Sequence, residues 1–176
     1  MASIIKVDTI QTAAGGTPTA ADLGINAISN YSEFRMTSSQ TNNSTIADIT
    51  ANLTRVMTIG DAVTESSGVY TLPSTGYWQI TGHFRAYTGT AAAKEMNLQL
   101  FVSTNSGSSY SKLVETIGSG YTQYAYSNGT ITSVVDVTDV STFRCKFTTE
   151  CISQTIYVGT SSSNQTYFTF TKLSNT

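Results

Sequence analysis

The chain holds one histidine, His83, two cysteines, Cys145 and Cys151, and eleven dispersed carboxylates, so the chemistry open to it is narrow. A hydrolytic triad would have to use His83. Gly82 and Phe84 set that residue in the middle of a strand-like run, and no Gly-x-Ser-x-Gly elbow presents a nucleophile. Glycoside cleavage needs two facing carboxylates, and nothing in the spacing from Asp8 to Glu150 marks such a pair. Asp136 and Asp139 are close enough to share a calcium ion with backbone carbonyls, although two lone carboxylates read more simply as solvated loop residues. Two cysteines and one histidine cannot close a structural zinc site. No glycine-rich loop ends in Gly-Lys-Ser or Gly-Lys-Thr, so there is no phosphate cradle. The expectation is a non-enzyme with no catalytic residue, no metal and no cofactor. Cys145 and Cys151, with five residues between them, read as two reduced, packed thiols, or as a disulfide if they face each other across a hairpin.

Residues this poor in chemistry must be positioned for something else, and the composition says by what kind of fold. Only 11 % of the 176 residues are charged, whereas 23 Ser and 31 Thr make up nearly a third of the chain. Ten Tyr, seven Phe and one Trp supply the aromatics, too many for a disordered chain. With net charge −2 and nine cations scattered singly, the chain is expected to bind neither nucleic acid nor an anionic membrane. No run approaches the apolar length of a spanning helix, and Met1 to Lys6 lacks the basic start and apolar core of a secretory signal. Abundant Thr, Val, Ile and Tyr with few strong helix formers point to strands.

Residues 1–28 read differently from the rest. Ile4, Ile5, Val7 and Ile10 lie in a short extended segment, Ala13 to Pro18 is a flexible stretch, and Thr19 to Gly24, with Leu23, suits a single helical turn. This arm has too little apolar surface to fold alone, so a neighbouring subunit or a platform must order it. From about residue 29 a period of two takes over. Leu53 to Ile59, Val69 to Leu72, Tyr77 to Tyr87, Asn97 to Val102, Tyr110 to Ile117, Tyr121 to Tyr126, Ile131 to Val137, Phe143 to Phe147, Thr155 to Val158 and Tyr167 to Leu173 read as short strands. Ser74-Thr75-Gly76, Thr104 to Ser109 and Asn128-Gly129 supply turn chemistry, and Gly118-Ser119-Gly120 reads as a break. Thr90 to Asn97 has a helical composition but is too short, and reads as a loop. The pattern predicts an all-β jelly-roll sandwich over 29–176 with a short extended amino-terminal arm over 1–28.

Aromatics mark where such a sandwich would meet a partner. One parity of each strand fills the core and the other faces outward. Tyr77 with Trp78, and Tyr167 with Phe168, place aromatics on both parities, which implies that one sheet is covered in an oligomer. Tyr77, Trp78, Tyr124, Tyr126, Tyr167, Phe168 and Phe170 are the candidate interface residues.

Three stretches together carry a resemblance. They are Phe34-Arg35-Met36-Thr37 leading to Ala51-Asn52-Leu53-Thr54-Arg55-Val56; Glu65 to Trp78 with its Leu72-Pro73-Ser74-Thr75-Gly76-Tyr77-Trp78; and the closing Asn164 to Leu173. Their order resembles the jelly-roll domain shared by the complement globular head and tumour necrosis factor (TNF). The wording is most similar to structural proteins of marine tailed phages, cyanophages especially, and Ala2 to Gln11 resembles amino-terminal arms of phage particle proteins. That resemblance implies a homotrimer with the outward aromatics near its three-fold axis, located on the outer surface of a virion. It further implies a head decoration or cement protein that binds a major capsid protein or another virion protein. Ile4, Ile5, Val7, Ile10 and Leu23 would anchor it. A tail fibre or knob binding a host surface glycan is the other reading.

Overall fold

The computed structural model describes residues 28–43, 45–50, 52–89 and 93–175, all of them strand, turn or irregular backbone. The arm residues Ile4, Ile5, Val7, Ile10 and Leu23 lie outside the described residues. Among the described residues thirteen strands form two antiparallel sheets. The first sheet is organised around β7 (Gly76–Thr88), which is flanked along one side by β10 (Tyr126–Val137). Its other side is shared by β13 (Tyr167–Ser174) and β12 (Thr155–Thr160). Beyond these lie β1 (Tyr31–Met36) on β13 and β2 (Ser38–Asn42) on β12, with β4 (Leu53–Ile59) at the edge beside β1. The second sheet runs β5 (Thr64–Ser66), β6 (Val69–Thr71), β11 (Arg144–Cys151), β8 (Ala93–Ser103), β9 (Ser111–Gly120), with β3 (Ala47–Asp48) also on β11. Two layers with β13 between β1 and β7 make a jelly roll, as the strand pattern predicts.

Alternation on β7 is strict. Trp78, Ile80, Gly82, Phe84 and Ala86 point inward, and Tyr77, Gln79, Thr81, His83, Arg85 and Tyr87 point outward. Where the sheets meet, Phe147 of β11 stacks on Phe168 of β13 with centroids 4.0 Å apart. Tyr70 and Phe170 complete the cluster, their rings 4.8 Å apart. Phe168 is the register partner of Gly82, and a Cβ at Gly82 would meet Phe147 Cε1 at 2.7 Å. Glycine at this place lets a ring from the opposite sheet rest on the β7 backbone. Tyr157 crosses the core at another point, its hydroxyl donating to the Asn97 carbonyl at 2.9 Å.

Four expectations give way to packing. Asn128-Gly129 is no turn: it lies within β10, where Asn128 pairs with Arg85 and Gly129 with Phe84. The expected strand from Tyr121 to Tyr126 is instead where the chain turns, at 121–125, and buried Thr88 holds that turn through its N–H to the Ala125 carbonyl at 3.1 Å and its hydroxyl to the Thr122 carbonyl at 2.6 Å. Gly129 is required for space, because a Cβ there would lie 2.7 Å from Phe84 Cε1 and 2.9 Å from Thr116 Cγ2. Gly118-Ser119-Gly120 likewise continues β9 rather than breaking it, and a Cβ at Gly118 would meet Ser127 Oγ at 2.3 Å. Ala93 to Asn97 opens β8 instead of forming a loop, since ladders to β9 and β11 override a weak helical propensity. The cysteines are both free and buried on the single strand β11, Cys145 beside Val102 and Cys151 beside Met96. Six strand steps separate them by about 20 Å, which excludes a bridge.

Replacing Gly129 with Ala is expected to lower unfolding free energy by about 1–3 kcal/mol through overpacking against Phe84, measured by chemical denaturation. Burial drives the Cys145 thiol far above its ordinary range. A thiol-reactive chromophore should therefore label neither cysteine in the native protein and both after denaturation. Rapid labelling of the native state would contradict this packing.

Candidate functional site

The outward face of the first sheet is built by register. One row across it reads Val134, Gln79, Thr171, Tyr31, Ile59, and the next Thr132, Thr81, Thr169, Glu33, Met57. A third reads Thr130, His83, Tyr167, Arg35. Threonine hydroxyls occupy the middle, with Thr81 and Thr132 in hydrogen bond at 3.0 Å. Aromatic rings stand around them. His83 lies on the Tyr167 ring with centroids 5.1 Å apart, and its Nδ1 shares a 2.8 Å hydrogen bond with the Thr130 hydroxyl.

Charges on this face are few and mostly held aside. The Tyr31 hydroxyl donates to Glu33 Oε2 at 2.6 Å, and Asn164 donates its amide to Oε1 of the same carboxylate. Burial, reinforced by Glu33, holds the Tyr31 phenol well above its ordinary range. Arg85 donates to Gln165 Oε1 at 2.7 Å and lies over the Tyr126 ring, 4.8 Å from its centroid. Arg35 is different: its Nε is buried with no acceptor among the described residues. An unpaired buried donor is costly and rare in a native fold.

The structure divides the sequence-predicted interface residues. Tyr77 and Tyr126 project outward, 43 % and 60 % exposed, and Tyr167 is half-buried on the same face. Tyr124 is 63 % exposed at the 121–125 turn, where it adopts φ 58°, a left-handed conformation uncommon for a bulky residue. Trp78, Phe168 and Phe170 are fully buried inside the sandwich and unavailable to a partner. Neighbours on a strand face opposite ways, so only one member of Tyr77–Trp78 and of Tyr167–Phe168 can meet a second subunit. Tyr31, Tyr87, Val134, Met57 and Ile59 join the face although sequence reasoning passed over them. Alternation of Tyr31, Glu33 and Arg35 against Ser32, Phe34 and Met36 is the signal that marks the first of these.

His83, weighed for catalysis, has a hydroxyl and a ring as its partners and, among the described residues, no carboxylate in hydrogen bond. Asp139 accepts from the Ser141 N–H at 2.8 Å and hydroxyl at 2.7 Å in a local turn, and these bonds hold its carboxyl below the usual range. Asp136 lies elsewhere, on the outward face of β10 opposite Tyr77.

Strand order, handling of the two layers and the open sheet face define an all-β jelly roll of the TNF type. Neither a protein-family model nor a curated protein sequence matches the chain. Solved structures share its fold. Eiger TNF from S. frugiperda is 9 % identical with a TM-score of 0.64, over 83 % of this chain and 93 % of that one. Murine APRIL at pH 5.0 is 12 % identical with a TM-score of 0.59, over 81 % and 99 %. The vertex protein P5 of PRD1 is 15 % identical with a TM-score of 0.51, over 85 % and 100 %. The jelly-roll expectation is thus met, in a fold shared with Eiger TNF, murine APRIL and the PRD1 vertex protein.

Burial lowers the His83 imidazole below its ordinary 6.5. A depressed histidine favours the folded state fully above the unfolded value and loses that contribution as pH falls through the folded one. Melting temperature should therefore drop between about pH 7.5 and about pH 5.5, with a shallower slope in His83→Gln. An unchanged slope in the variant would assign the effect to other groups.

Proposed function

We propose that this chain is a non-enzymatic structural protein of a tailed-phage particle, a homotrimeric head decoration or cement protein on the virion's outer surface. The observation that carries this reading is the open outward face of the first sheet, with its hydroxyl-rich centre, aromatic surround and the unpaired Arg35 Nε buried on it. A monomer gains nothing by leaving that donor unmet, whereas a second copy packed on the face can bring it an acceptor. Few charges mean little desolvation cost when the face is covered. The fold shared with the PRD1 vertex protein supports a place on a particle. In this reading residues 1–28 form the arm that anchors each subunit to the major capsid protein or another virion protein. Three arms per trimer then bind far more tightly than one, because the second and third engagements are intramolecular.

A second reading has its own observation. Tyr121, Tyr124 and Tyr126 are all well exposed around the turn that Thr88 holds rigid, a suitable platform for stacking on a sugar ring. That arrangement favours a short tail knob binding a host surface glycan.

Light scattering behind a sizing column should give a mass near three times 18.8 kDa. Thr169→Asp, which sets a charge at the centre of the face, should reduce it to the monomer value without changing the far-ultraviolet spectrum. A monomeric wild type would overturn the trimer. Deleting residues 1–28 should leave the trimer intact and abolish saturable binding to undecorated capsids. Capsid binding that survives the deletion would remove the anchoring role, and glycan affinity in place of capsid binding would favour the knob.

A further inference from the structure

The opposite side of the molecule, the outward face of the second sheet, carries a group of oxygens under-supplied with donors. On β8, Leu98 and Leu100 point into the core, so Asn97 and Gln99 point out. Asn97 lies across from Glu150 on β11 and Ile117 on β9, and Gln99 across from Thr148 and Glu115. Gln99 Nε2 donates to Glu150 Oε2 at 2.7 Å and to Glu115 Oε2 at 3.3 Å, while the Thr148 hydroxyl donates to Gln99 Oε1 at 2.8 Å. Carboxylates from two different strands are therefore drawn over one spot on β8 and share one amide NH2. Two residues along the same face, Asn97 is only 3 % exposed, and its Oδ1 is buried with no hydrogen-bond partner among the described residues. Lys112 pairs with Glu115 from the rim, and Lys146 is engaged with Asp48 at 2.9 Å.

We propose that Glu115, Glu150, Asn97 Oδ1 and Gln99 Oε1 form a binding site for a hard divalent cation, calcium in preference to magnesium. A half-turn of the Gln99 amide exchanges its NH2 for its oxygen. Nε2 then donates to the Thr148 hydroxyl, which can accept as well as donate. The cation sits between the two carboxylates, against the Gln99 oxygen that has replaced Nε2, and the Asn97 carbonyl gains a partner. Two carboxylates and two amide oxygens, completed by water, suit the six to eight oxygen ligands of calcium. Donors fixed on three strands do not offer the near-octahedral array that magnesium demands. Lys112 competes for Glu115, which places the affinity on the order of a millimolar. The site lies on the sheet that does not carry the proposed subunit interface, so it stands whether or not the chain is a trimer.

Titration calorimetry of the chelator-treated full chain with calcium chloride, and separately with magnesium chloride, tests it. Calcium should bind saturably, once per chain, and raise the melting temperature, with magnesium weaker. Glu150→Gln should weaken calcium binding by about tenfold or more, as loss of one charged ligand does. Lys112→Ala, at an exposed position that leaves the core untouched, should tighten it. Absence of saturable binding in the folded wild type would mean that Asn97 turns its NH2 toward Glu150, and would overturn the proposal. Binding unchanged in both Glu150→Gln and Lys112→Ala would overturn it too, and magnesium binding as tight as calcium would overturn the stated preference.

Discussion

Everything in this fold leans on the contact of Phe147 with Phe168 above Gly82. It joins the two sheets where a ring from the second layer rests against the backbone of the first. Without a side chain at Gly82 the layers approach closely enough for Tyr70 and Phe170 to close around the stack. A close-packed core transmits such a constraint, because its rings have no spare volume to absorb a shift. Gly118 and Gly129 repeat the device around Phe84, where β9 and β10 come together and three elements crowd one ring. Small residues in this protein set distances between layers, and the large residues fill what those distances leave.

Once the layers are fixed, the two outward faces are free to differ, and they do. The first sheet presents threonine rows edged by tyrosine and histidine, with its arginines and glutamate held against neighbours or, for Arg35, left unmatched. The second presents ion pairs and an amide bridging two carboxylates. A surface of hydroxyls costs little to cover and gives no long-range repulsion between like copies. A surface of exposed ion pairs holds water and prefers to keep it. The division leaves one side of the sandwich inexpensive to cover and the other best kept wet.

Much of this was legible beforehand because alternation in a strand is a rigid rule. From Trp78, Ile80, Phe84 and Ala86 alone the inward face of β7 follows, and with it the outward place of His83. Legibility ended where a residue type has two physical uses. Asn-Gly is a turn signal when glycine is wanted for its dihedral freedom, but at Gly129 it is wanted for its lack of volume, and only the neighbouring Phe84 reveals which. Adjacent aromatics such as Tyr167 and Phe168 posed the same difficulty: pattern shows that one is inside without showing that the other is the partner-facing one. Arg35 and Asn97 gave no sequence signal at all, since an unmatched donor or acceptor exists only in relation to strands distant along the chain.

The strand order also governs how the domain can come into being. β13 lies between β1 and β7 and pairs Tyr31 with Thr171, so the middle of the first sheet is completed by a segment made well after both. Until it arrives, β1 and β7 each present an open edge and Phe147 lacks the ring it stacks on. Folding dominated by such distant pairings is slow and leaves strand edges exposed to other chains meanwhile. An edge exposed during that interval can pair with another chain before closure. Few long apolar runs and abundant Ser and Thr leave those edges easily hydrated until β13 inserts.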